Sequence, residues 1–204
     1  WGDRGHVQQL VISEPAFAWT AHKGWRSDAE SSTESWDAVS TRYVFHDAAG
    51  ELGRLVRRLG DAYRSLRPQV PEISVLLPIL ADPSEFSRLR DAGLSAAALA
   101  ELSAELSDLG SAIGVCRPDR PDADLVLAEL GHTVDWLQYA TRLGRYRLAV
   151  LDGAAAAGQE QELVEEHARL LKEFSIRWLA RNREGGLSDT LDRLSDTHPA
   201  AQVS

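Results

Sequence analysis

The chain of 204 residues contains no methionine and a single cysteine, Cys116. One cysteine excludes an intramolecular disulfide and every paired-cysteine metal motif. No apolar run approaches the roughly 20 residues that cross a bilayer, and no basic segment leads into a short apolar one as in a signal peptide. Any leader would lie upstream of Trp1, so localisation stays open between cytoplasm and export. Positive charge is in short supply as well: 22 basic residues face 31 acidic ones, for a net charge of −9. Nucleic-acid affinity rests on clustered Lys and Arg. Here the arginines are spread among acids, so neither a nucleic-acid nor a membrane partner is expected. The metalloprotease HExxH, the GxSxG elbow and the phosphate loop are all missing, and no metal or cofactor is expected.

What remains is an ordinary folding composition, 44% apolar and 26% charged, long enough to bury a real core. Residues 1–30 differ from the rest. They hold three of the six tryptophans, Trp1, Trp19 and Trp25. The stretch HVQQLVIS (6–13) reads as a short strand or extended loop. EPAFAWTAHKGW (14–25) reads as a short helix after Ser13, with Pro15 in its first turn, and RSDAESSTES (26–35) as a connector.

Beyond Glu34 the apolar period is that of a helix. TESWDAVSTRYVF makes a short amphipathic helix. The next carries Leu52, Leu55 or Val56, Leu59, Tyr63 and Leu66, and Pro68 and Pro71 stop it. EISVLLPILA (72–81) is apolar on too many sides for a surface helix and reads as buried and kinked at Pro78. A seam of Leu99, Leu102, Leu106, Leu109 and Ile113 marks another helix. Leu127, Leu130, Val134 and Leu137, continuing to Leu148, mark the next, opened by Pro121. The alanine-rich LDGAAAAGQE breaks it. A last long helix from about Gln159 presents Leu163, His167, Leu170, Phe174 and Trp178. Long helices joined by short Gly/Pro breaks make a helical bundle, so the fold is mainly α.

The candidate chemistry is concentrated in the first residues. Trp1, Asp3 and His6 stand together among glycines. An aromatic face stacks on the C–H face of a pyranose while a carboxylate accepts from its hydroxyls, and Trp25 can supply a second wall. A plain loop with a capping aspartate explains the same residues. His132, Trp136 and His167 fall at core spacing in the bundle. Asp135 and QEQELVEEH (159–167) read as solvated acidic faces. In RNREGGLSD, Arg181 to Arg183 close a helix, Gly185-Gly186 break it, and Ser188 or Asp189 caps a short final one.

WGDRGHVQQL followed by AFAWTAHKGW resembles the closing section of the catalytic barrel in bacterial β-N-acetylhexosaminidase-like enzymes of glycoside hydrolase family 20. VFHDAAGELGRLVRRLGDAYR and the terminal FSIRWLARNREGGLSDTLDRL resemble the helical extension downstream of such barrels. The resemblance implies that residues 1–30 are the last strand and loop elements of an incomplete eight-stranded α/β barrel, and that 31–204 form an α-helical C-terminal domain. It implies removal of terminal N-acetylhexosamine from glycans by a substrate-assisted retaining route. A glutamate acts as acid–base there, and a neighbouring aspartate steers the 2-acetamido group.

That Asp-Glu pair has no counterpart in this chain, so no catalytic residue is assigned and the 204 residues alone are expected to be inactive. The resemblance carries Asp3 onto a position that hydrogen-bonds sugar hydroxyls, Trp1 onto the adjacent pocket wall and Trp25 onto the tryptophan closing the pocket. His6 lies in the motif, its role open. Arg4 and HKGW depart from the family pattern and leave substrate preference unsettled. Together with the start at Trp1, these features lead to the expectation of a fragment, its oligomeric state open. The alternatives are a stand-alone helical interaction module and part of a non-catalytic sugar-binding protein.

Overall fold

The computed structural model describes residues 8–24, 35–47, 49–71, 73–82 and 86–195, and every regular element among them is helical. In chain order the α-helices are α1 (Glu14–Gly24), α2 (Trp36–Val39), α3 (Leu52–Asp61), α4 (Leu76–Ala81), α5 (Phe86–Asp91), α6 (Ala96–Gly114), α7 (Ala123–Leu151), α8 (Gln159–Arg181) and α9 (Leu187–Ser195). Helix α2 runs directly into a wider π-helical turn, Ser40–Phe45, and α3 into a 3₁₀ turn, Ala62–Ser65.

The 29-residue α7 is the axis of the bundle, with α6 packed along one side and α8 along another. Helix α6 starts where Ser95 accepts from the amide of Ala98, and buries the seam Leu99, Leu102, Leu106, Leu109 and Ile113. Truncating any of these leucines to alanine removes on the order of 2–5 kcal/mol. Gly144 lets the two helices close up. A Cβ there would stand 2.9 Å from Leu99 Cδ1 and 3.3 Å from Ile79 Cγ2.

Asp47 sets the start of α3 from five residues upstream. Its carboxylate accepts from the amides of Ala49, Glu51 and Leu52 at 3.2, 3.0 and 2.8 Å. These donors would otherwise be orphans of the first turn. Leu52, Leu55, Val56 and Leu59 then face the core, as the spacing predicts.

Three expectations are corrected. The strand or extended loop over 6–13 is absent from its described part, where Leu10–Ile12 form a 3₁₀ turn leading straight into α1. Val11 of that turn is fully buried and belongs to the same core as the bundle leucines. Helix α4 is neither buried all round nor kinked. Leu77 is exposed while Leu76 and Ile79 are buried, and Pro78 occupies the first turn, where its missing N–H costs no helical bond. Leu137 and Trp178 are half-buried on the bundle's flanks, not in its centre. No helix among the described residues is long and apolar enough to cross a membrane.

Candidate functional site

The four residues that carry the sugar-site expectation, Trp1, Asp3, His6 and Trp25, lie outside the described residues. The chain between them is described, and it is anchored. Gln9 is 2% exposed and donates from Nε2 to the carbonyl of Phe174 in α8, at 3.4 Å. In α1, Pro15 is buried, and Ala18, Trp19 and His22 are half-buried on the same side. The opposite side presents Ala16, Phe17, Thr20, Ala21 and Gly24. None is charged, and Phe17 is 52% exposed. At the edge of that face Lys23 lies over the Trp19 ring, 4.5 Å from its centroid. His22 bridges Trp19 to Tyr43 of the π turn, at 6.1 and 6.2 Å between centroids.

An ionic clasp ties this segment to the start of α7 and the end of α8. Arg120, just before α7, donates to Glu14 Oε2 at 3.0 Å, to the Val44 carbonyl at 2.7 Å and to both oxygens of Asp122 at 2.8 and 2.9 Å. Asp122 in turn accepts from Arg181 at 2.8 Å, and Arg181 also forks onto Glu129. The paired guanidinium groups, Arg120 first and then Arg181, hold the Asp122 carboxyl down at about 2. Hydrogen bonding to Glu129 raises the already high pKa of Arg181.

The terminal motif therefore does more than stop a helix. Arg181 locks the end of α8 to the start of α7, and Trp178 Nε1 donates to the Arg183 carbonyl at 2.9 Å. Gly186 turns the chain with φ +80° and α9 begins at Leu187, so Ser188 and Asp189 lie inside its first turn and do not cap it. The signal for the clasp was in the sequence, as Arg181 and Glu129, but nothing in spacing could pair residues 52 positions apart.

His132 and His167 are core residues, as their spacing predicts, with 1% and 2% exposure. Each holds two helices together. His132 Nε2 donates to the Leu170 carbonyl of α8, and His167 Nε2 to the Leu194 carbonyl of α9, both at 3.0 Å. Trp136 stands edge-on to both rings, and Tyr139 packs at 5.6 Å from His167. Burial lowers the pKa of His132 to about 4, so the ring is neutral near pH 7 and its Nε2 carries the proton. The acidic faces are only partly solvated. Asp135 is half-buried, and burial pushes its carboxyl upward, while Glu166 takes a forked pair from Arg142.

Arg147 carries no signal in the sequence pattern, yet among the described residues it is the largest fully buried side chain. Its Nη1 donates to the Ile79 carbonyl, its Nε and Nη2 have no hydrogen-bond partner among the described residues, and the Phe86 ring lies 5.9 Å away. Two surface clefts are also present. One, of about 530 Å³, is lined by Asp47, Glu51, Arg54, Val115 and Cys116. Burial is the main cause that pushes the Cys116 thiol upward, with Asp47 and Glu51 adding to it, so it stays protonated and a poor nucleophile. The other, of about 340 Å³, has Trp36 and Tyr63 in its walls. Among the described residues no group of His, Cys, Asp and Glu could hold a metal ion.

Compared with known proteins, the chain matches no family model, no curated protein and no solved structure.

Proposed function

We propose that the chain is the C-terminal part of a family 20-type glycoside hydrolase that removes terminal N-acetylhexosamine residues from glycans, its catalytic Asp-Glu pair lying upstream. In this reading Trp1, Asp3 and Trp25 line the sugar pocket with His6 beside them, and the helical bundle is the platform behind. The observation that carries the reading is the make-up of α1, the helix that follows the WGDRGHVQQL motif. Its inner side packs on the bundle, while its exposed side is Ala16, Phe17, Thr20, Ala21 and Gly24 with a single charge, Lys23, at the edge. A helix at a free surface turns charge outward, whereas one lying between two layers is apolar on both sides.

The test is kinetic and uses the polypeptide extended upstream. The longer protein hydrolyses a chromogenic N-acetylhexosaminide and the 204 residues alone do not, because general acid–base catalysis contributes about 10² to 10⁴ in rate. In the longer protein Asp3→Ala lowers kcat/KM roughly 10- to 150-fold, the equivalent of one charge-assisted hydrogen bond. Trp25→Ala costs at least as much, since it removes a wall that holds the acetamido group for attack. If both variants keep the parental kcat/KM, the reading fails, and a helical interaction module or a non-catalytic sugar-binding protein replaces it.

A further inference from the structure

We infer that the 340 Å³ cleft between α2, α3 and α7 is a saccharide-binding site that takes one uncharged pyranose ring. The inference goes beyond the proposal for the upstream barrel, because it needs only described residues and none of Trp1, Asp3 or Trp25. The volume lies within the range of small-ligand sites, roughly 300–1,000 Å³. Leu59, Leu76 and Leu106 are among the apolar lining residues, and the half-buried aromatics Trp36 and Tyr63 line it with them.

The charges on its edge decide the ligand class. Arg57 is held in a fork by Asp37, at 2.6 and 2.9 Å. Asp61 pairs with Arg64 at 3.0 Å. Each charge near the mouth is already answered by its opposite, so the edge favours neither an anion nor a cation. Hydrogen-bonding capacity is still on offer, since the Arg57 and Asp61 side chains are 46% and 44% exposed. An apolar, aromatic wall beside a neutral hydrogen-bonding edge suits a molecule with a C–H face and a rim of hydroxyls.

Gly60 points the same way. It sits in α3, on the wall of the cleft, where a Cβ would meet nothing within 4 Å. Glycine is disfavoured in a helix, and no neighbouring helix needs the space here. Gly60 is exposed, and the space where its side chain would stand is open at the edge of the cleft.

The 204-residue chain is titrated with N-acetylglucosamine and followed by saturation-transfer NMR. A dissociation constant of about 1 mM is expected for a ligand of this size. Gly60→Leu fills that space and improves helix propensity, so it weakens binding at least tenfold while the melting temperature holds. Tyr63→Ala weakens binding by a similar factor. Absence of transfer overturns the inference. So does binding that survives Gly60→Leu, or a site that takes indole and rejects the sugar. None of these outcomes touches the kinetic test of the upstream enzyme, so the two readings fail separately.

Discussion

Arg181 sets its guanidinium flat against the carboxylate of Glu129, Nε to Oε1 at 3.0 Å and Nη2 to Oε2 at 2.9 Å, and the Glu129 side chain has no exposure at all. The pair joins the last turn of α8 to the first turns of α7. Breaking a buried pair by removing one partner leaves the other charge unpaired in a poor solvent, which costs on the order of 3–5 kcal/mol. Arg181→Leu is therefore expected to lower the denaturation midpoint sharply at constant m-value. The double variant Arg181→Leu, Glu129→Leu should recover most of the loss. No loss in Arg181→Leu would show that the pair contributes nothing, and a loss that the double variant does not recover would place its cause outside the unpaired Glu129 carboxylate.

Stability should fall as the solution is acidified from pH 6.5 toward 4, because of His132. In the folded protein its pKa is near 4 against an ordinary 6.5. Between those values the unfolded chain binds a proton that the native state refuses, so stability is complete above about pH 6.5 and is lost as pH drops. A shift of this size is worth on the order of 3 kcal/mol. Urea unfolding at pH 7 and pH 4.5 should show a smaller difference in His132→Gln than in the parent. Asp122 contributes in a lower window, losing its stabilisation as pH falls from about 4 to 2.

Arg147→Met is expected to leave stability unchanged or raise it by up to about 2 kcal/mol. Among the described residues only its Nη1 has a partner, and the Nε and Nη2 atoms stay unmet in the core. Replacing such a group by an apolar one of similar length removes a desolvation cost. Thermal melts of the two proteins decide this, and a fall of several degrees would show that the arginine is better matched than its contacts suggest.

Phe17→Glu and Ala21→Glu probe the outer face of α1. In the 204-residue chain both should be neutral within about 0.5 kcal/mol, as for ordinary surface substitutions. In the upstream-extended protein they should destabilise by several times that amount, because a layer packed there would have to bury the new charge. Equal, small effects in both proteins would remove the support α1 lends to the glycosidase reading.

The helices were legible because each buries one stripe at a fixed period. Leu99 to Ile113 and Leu163 to Phe174 face inward where the sequence pattern predicts, and the LDGAAAAGQE break separates α7 from α8. Period alone misjudged elements whose shape depends on distant partners. Gln9 reaches Phe174 across the fold, which fastens a stretch that looks like a strand. Two residues with the same pattern as their neighbours, Leu137 and Trp178, end on the flank because the bundle has too few helices to enclose every side of α7 and α8. Of the candidate site, Trp1, Asp3, His6 and Trp25 stand outside the described residues, so their convergence rests with the mutants above. Arg147 and the Arg181–Glu129 clasp were invisible to pattern, since charge on a helix normally marks the solvent side.

Both ends of the described chain hang from one helix. Gln9 donates to the carbonyl of Phe174, and the carbonyl of Leu194 accepts a hydrogen bond from His167 Nε2. These attachment points are seven residues apart on α8, about 10 Å of helical rise. A glycine-rich bridge between the segments that flank Gln8 and Ser195 would close the chain into a ring. New termini cut into the exposed Ala154–Ala157 loop would then give a circular permutant with every helix and its neighbours retained. The order in which this fold is written along the chain is thus separable from its architecture.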